Sequence, residues 1–205
     1  MLLKCLNILS FLVLGVIMFT PSHVQAETRT AILAGGCFWC VESDFDKLDG
    51  VLKTTSGYSG GTIDHPTYQN YHDDIPGKEP HVEVVAIEYD DEKVTYESLL
   101  DYYFHHIDPT DKGGQFCDRG SAYRPVIYYK DEQERETAHK VSADIAALID
   151  KKVKVEILPA TEFWPAESYH QDYYTKNPVR YKYYRWRCGR DQRVEELFGS
   201  AAETH

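Results

Sequence analysis

The chain has 205 residues, with 22 Lys and Arg against 33 Asp and Glu, for a net charge of -11 at neutral pH. Such a charge repels nucleic acid and anionic lipid, so the expected partners are neutral molecules or polypeptides. The length and a 42% hydrophobic content suit one folded domain with a sizeable core and exclude a disordered chain.

The first 26 residues form a block of their own. One cation, Lys4, precedes an apolar run from Leu6 to Phe19, followed by Pro21 and the small-residue end Val24-Gln25-Ala26. This is the pattern of a secretory signal peptide cleaved after Ala26, which makes the mature chain, 27–205, periplasmic or secreted. The apolar run falls short of the roughly 18–20 residues of a spanning helix, so a retained anchor is the lesser alternative. Cys5 lies before the run rather than at its end, which argues against a lipoprotein.

Past the leader, residues 28–34 read as a short strand broken by Gly35-Gly36. Phe38, Val41, Phe45 and Leu48 then recur at helical spacing until Asp49-Gly50, so Cys37 stands where a helix begins. A second strand is expected over 51–56, then a long Gly, Pro, Asp and Tyr-rich loop over 57–80. Residues 81–89 form the strongest strand pattern. A helix over 95–106 turns Leu99, Leu100, Tyr103 and Phe104 to the core. An irregular stretch, 107–124, precedes a strand over 125–129, a helix over 131–151 and an alternating strand over 153–157. A short helix is expected over 165–175. The alternating bases and aromatics of 180–187 read as a tail wrapping the surface, the net charge arguing against a single-stranded nucleic acid site. Together these elements predict an α+β fold: a mixed sheet with packed helices, in a ferredoxin-like arrangement of two βαβ units.

Four cysteines remain after processing: Cys37, Cys40, Cys117 and Cys188. Two structural disulfides are the simplest use of an even number in an exported chain, but a domain this long hardly needs them. Only Cys37-x-x-Cys40 has zinc-ligand spacing, and no second pair accompanies it, so no metal is expected. Redox chemistry remains. The first turn of a helix offers free N–H groups and a positive dipole end that favour a thiolate, which makes Cys37 the expected nucleophile. The paired glycines permit a sharp turn and leave the sulfur unobstructed. Phe38 and Trp39 beside it form either an apolar wall for a methyl or thioether group or part of the core.

The run Gly36-Cys37-Phe38-Trp39 with Val41-Glu42 resembles the signature of the methionine sulfoxide reductase A family. The resemblance continues through Ser56-Gly57-Tyr58, Pro66-Thr67-Tyr68, His81 to Val85, Asp118 to Arg124, and His170-Gln171, and so spans the mature chain. It implies that Cys37 attacks the sulfur of a methionine S-sulfoxide and that Glu83 protonates its oxygen. It further implies that Tyr68 and Tyr123 hydrogen-bond that oxygen and that Asp118 helps bind the methionine backbone. A carboxyl can act as an acid near neutrality only if burial raises its pKa, and Glu83 lies within an otherwise apolar strand. His105, His106 and His170 are left without a role, because a preformed thiolate needs no base.

The implied cycle turns Cys37 into a sulfenic acid, a second thiol condenses with it, and a thioredoxin-like protein reduces the disulfide, with no cofactor. The expected substrates are oxidised proteins or peptides carrying methionine sulfoxide, and the expected form is a monomer. Cys188, in the tail beside Gly189, is the favoured resolving cysteine. Cys40 and Cys117 stay open as alternative resolvers, a relay pair or packing residues. Two rivals stand: a thioredoxin-like oxidoreductase using Cys37-x-x-Cys40, and a binding domain bridged Cys37–Cys40 and Cys117–Cys188.

Overall fold

In the computed structural model, which describes residues 27–199, strand β1 (Thr28–Ala34) leads through helix α1 (Phe38–Phe45) to β2 (Val51–Ser59). Strand β3 (Val82–Asp90) inserts between them, antiparallel to both. Helix α2 (Tyr96–Phe104) and a small hairpin, β4 (Gly114–Gln115) with β5 (Asp118–Arg119), then lead to β6 (Val126–Tyr129), which pairs antiparallel with the free side of β1. The strand order β6-β1-β3-β2 is that of two interlocked βαβ units, the ferredoxin-like arrangement. The sheet is extended by β7 (Glu156–Pro159), reached through α3 (Glu132–Leu148) and parallel to β6, and by β8 (Trp164–Pro165) against β2. Helices α4 (Tyr173–Lys176), α5 (Pro178–Cys188) and α6 (Arg190–Phe198) complete the described residues. The leader expected over 1–26 lies outside them.

The pleat decides which side chains meet the helices. Ala31 and Leu33 of β1 and Val85, Ile87 and Tyr89 of β3 point to the face covered by α1, α2 and α3, where the main core forms. Ile32, Ala34, Val82 and Val84 point to the other face, packed by Ala160 and Phe163. By the same period of two, Glu83 points to the helix face. Helix starts follow their caps: Thr95 accepts from the Ser98 N–H and Asp131 from the Glu134 N–H.

Three expectations differ from the structure. The strand expected over 153–157 pairs only from Glu156, because the Lys154 N–H bonds Pro109 O instead of a neighbouring strand while Val153 and Val155 pack against the main core. The helix expected over 165–175 shrinks to Tyr173–Lys176, because the preceding residues belong to the sheet edge. The Ala166 N–H bonds Ser56 O, and the Gln171 amide bonds both backbone groups of Ser56. The tail expected over 180–187 is the helix α5: Pro178 stands at its first position, and Tyr181, Tyr184, Arg185 and Cys188 share its inner face.

Candidate active site

The turn from β1 into α1 is fixed by its glycines. Gly36 has φ +82°, and a Cβ there would lie 2.5 Å from Gln115 Cβ. Gln115 is itself locked, exchanging two hydrogen bonds with the Asp108 backbone. Gly36→Ala is therefore expected to destabilise the fold by at least ~2 kcal/mol, measured by urea unfolding.

Cys37 is the N-cap of α1 and Cys40 its third residue, the two positions whose side chains reach each other in a helix cap. Both sulfurs are buried and unoxidised, Cys37 being 6% exposed. The pair shares a hydrogen bond that lowers the Cys40 pKa to about 7, helped by the positive charges of Arg190 and Arg185 against the effect of burial. Cys37 moves the other way: burial holds its thiol protonated, reinforced by Cys40 and by the charge of Glu83, while the Tyr184 hydroxyl opposes this. The preformed Cys37 thiolate expected from the helix dipole is therefore corrected. The helix's first N–H, that of Phe38, is donated to Glu83 Oε2 at 2.9 Å instead.

Glu83 is 2% exposed, and burial raises its pKa to about 8 against those same bonds and the Tyr71 hydroxyl, which donates to Oε1 at 3.0 Å. Glu83 thus faces the core and not solvent. The Tyr71 hydroxyl also meets that of Tyr123, and Tyr68, raised to about 12 chiefly by burial, feels the charges of Glu83 and Cys37. Tyr71 had no role in the sequence reading; its spacing of three from Tyr68 in the loop was the only signal.

The aromatic wall divides in two. Phe38 is fully buried against Tyr58 and His170, so its side chain belongs to the core beneath the site rather than to an exposed wall. Trp39 is half-buried, stacked on Tyr173 with ring centroids 3.7 Å apart, its indole N–H donating to His170 Nδ1 at 3.0 Å. His170 is therefore a positioning group for Trp39, and burial keeps it neutral. On the far side Asp118 accepts a hydrogen bond from Tyr184 of α5, whose ring meets the Trp39 edge.

The residues 29–202 match the model of the family described as peptide methionine sulfoxide reductase. The chain belongs to that family. A Vibrio cholerae relative named peptide methionine sulfoxide reductase MsrA/MsrB is 48% identical over 91% of this chain, which spans only 49% of that relative's length. A Rhizobium meliloti relative, peptide methionine sulfoxide reductase MsrA 2, is 46% identical over 86% of this chain and 87% of its own. Among solved structures, methionine sulfoxide reductase A of Corynebacterium diphtheriae superposes with a TM-score of 0.64 at 32% identity, over 76% of this chain and 78% of that one. Mxr1 of Saccharomyces cerevisiae in reduced form gives 0.67 at 26% identity, over 77% and 91%.

Within this reductase the remaining cysteines take an arrangement that the sequence reading did not favour. Cys117 and Cys188 are joined in a disulfide, with Cα atoms 4.9 Å apart. Cys188, favoured as the resolving thiol on the premise of a mobile tail, is instead the last residue of α5, and the sulfur that faces Cys37 is that of Cys40. Arg190, which also escaped the sequence reading, is a buried cation held by Gly35 O and His106 O at 2.9 Å. Its place just past the αL residue Gly189 turns it back under the dithiol.

Proposed function

We propose that the chain reduces the S epimer of methionine sulfoxide, free or within an oxidised polypeptide, to methionine. One observation carries this reading: a buried carboxyl, Glu83, with its pKa raised to about 8, is pinned to the first N–H of the helix that begins at Cys37. A sulfoxide oxygen is a poor leaving group, and a protonated Glu83 neutralises the charge that develops on it. The Cys37 thiol passes its proton to the Cys40 sulfur across their hydrogen bond as the Cys37 sulfur attacks. Methionine departs, two electrons move from Cys37 to the sulfoxide, and Cys37 becomes a sulfenic acid. The Cys40 thiol then displaces water to form the Cys37–Cys40 disulfide, and a thioredoxin-like dithiol protein reduces it. Trp39 and Tyr68 border the methyl group and oxygen, Tyr123 assists at the oxygen, and Asp118 receives the substrate backbone N–H. The leader pattern supports export to the periplasm or beyond.

Turnover of the two epimers of a blocked methionine sulfoxide with dithiothreitol tests the reading. Loss of the S epimer alone is expected. Reduction of neither by folded, reduced protein overturns it and favours a disulfide oxidoreductase built on Cys37-x-x-Cys40.

A further inference from the structure

Arg190 opens α6 and is the largest fully buried side chain among the described residues. A guanidinium does not shed its charge, and a buried charge is costly unless something compensates it. Asp118 and Asp191 feel that charge, but Asp118 accepts from the Tyr184 hydroxyl and Asp191 from Arg185. Among the described residues no carboxylate forms an ion pair with Arg190. Its partners are neutral: Nη1 donates to His106 O, Nη2 donates to Gly35 O, and the guanidinium lies 4.3 Å from the centre of the Phe116 ring.

This fork is aimed at the turn that presents the dithiol. Gly35 and Gly36 separate β1 from the N-cap Cys37, and a Cβ on Gly36 would lie 3.3 Å from Nη2. A cation is thereby fixed at the end of α1 where the helix dipole is also positive. Cys40 is enclosed by Cys37 and Asp44 of its own helix, Glu83 of β3, Tyr173 of α4 and Tyr181 and Tyr184 of α5. The charges of Asp44 and Glu83 oppose an anion on its sulfur, whereas those of Arg190 and Arg185 favour one. Arg185 is shared between Asp44 and Asp191, so the uncommitted charge is that of Arg190.

We propose that Arg190 is a positioning residue for the reduction: it is the counter-charge that holds the sulfur anion of the dithiol on Cys40 until Cys37 attacks. This rests on the reductase reading and names the group that readies its thiols. With the anion on Cys40, the Cys37 thiol has an acceptor for its proton. As Cys37 gives its electron pair to the sulfoxide sulfur, that proton passes to Cys40 and the oxygen takes the proton of Glu83. Without the cation Cys40 stays protonated at neutral pH, and Cys37 loses its acceptor.

The test compares Arg190→Met, which removes the charge, with Arg190→Lys, which keeps it, in protein reduced at Cys37 and Cys40 with the Cys117–Cys188 bond closed. Thiolate absorbance against pH reads the first thiol to ionise, and rapid quench reads the single-turnover rate with a blocked methionine S-sulfoxide. The wild-type acid midpoint is expected at about 7 in both. Arg190→Met is expected to move both midpoints up by at least about one pH unit, so that the rate on their acid side falls roughly tenfold. Arg190→Lys is expected to restore the midpoints even where lost carbonyl bonds lower its urea stability as far as that of Arg190→Met. Midpoints unchanged in folded Arg190→Met, or raised equally in both variants, overturn the proposal, since lost packing alone scales the rate at every pH. If Arg190→Met does not fold, the wild type decides: the Arg190 Nε–H resonance is expected to move at the Cys40 midpoint and to lose that step in Cys40→Ser. Absence of the step in the wild type, or its persistence in Cys40→Ser, overturns the proposal. These titrations need no substrate, so a lack of sulfoxide turnover would count against the reductase reading and leave them to judge Arg190.

Discussion

Cys37→Ser is expected to abolish reduction of methionine sulfoxide with any reductant, whereas Cys40→Ser is expected to complete one turnover and then stall when a protein dithiol is the reductant. The distinction follows from the two places on α1. Cys37 supplies the electrons, so nothing replaces it. Cys40 acts on Cys37 twice, as the acceptor of its proton and as the thiol that closes the disulfide, and only the second role is needed after sulfur has been reduced. Rapid quench should therefore give close to one methionine per chain in Cys40→Ser, at a slower rate than in the wild type. The sulfenic acid left on Cys37 should then react with a carbon acid probe such as dimedone. Small thiols restore cycling by reducing that acid directly. Sustained wild-type turnover of Cys40→Ser with a protein dithiol would show that another cysteine, Cys188 first among them, reaches Cys37.

Glu83→Gln is expected to lower kcat/KM for the sulfoxide by ~10²- to 10⁴-fold, the range for a general acid. The amide keeps the shape and one acceptor for the Phe38 N–H but has no proton to give. Activity of the wild type should fall as pH rises through about 8, where Glu83 ionises, and this alkaline limb should vanish in the variant. Stability moves in the opposite direction. A carboxyl whose folded pKa is raised contributes stability that is complete below its ordinary value near 4 and lost as pH rises through the folded value. Glu83→Gln should therefore unfold at higher urea than the wild type at pH 8.5, and the advantage should disappear near pH 4. A parallel loss of stability and activity at both pH values would mean that Glu83 is a structural anchor only.

The strands and helices of the ferredoxin-like frame were legible because their side chains obey a single period over six or more residues, as in Val82 to Tyr89. The ends were less so. The stretch from Pro165 to Asp172 has helical spacing, yet its backbone is claimed by Ser56, more than a hundred residues away. Helix α5 was obscured because bases and aromatics alternate along 180–187. Large side chains recur at helical spacing on both its inner face (Tyr181, Tyr184, Arg185, Cys188) and its outer face (Val179, Tyr183, Trp186), so no single apolar stripe marks it. At the site, Glu83 was legible only through the family resemblance, since strand pattern alone left its face open, whereas Cys37 could be read from type and position. The protonation of Cys37 could not, since it depends on Glu83 taking the Phe38 N–H and on Cys40 sitting alongside, both products of packing. The Cys117–Cys188 bond likewise arises from the meeting of a hairpin and a helix that the sequence separates by 71 residues.

The proton held on Cys37 also bears on the survival of the catalyst. Methionine is oxidised where peroxide and hypohalous acid are present, and those reagents attack thiolates far faster than thiols, driving them on to sulfinic and sulfonic acids that a dithiol cannot recover. A sulfur that stays neutral and enclosed is a poorer target for the very agents that create its substrate than an exposed thiolate would be.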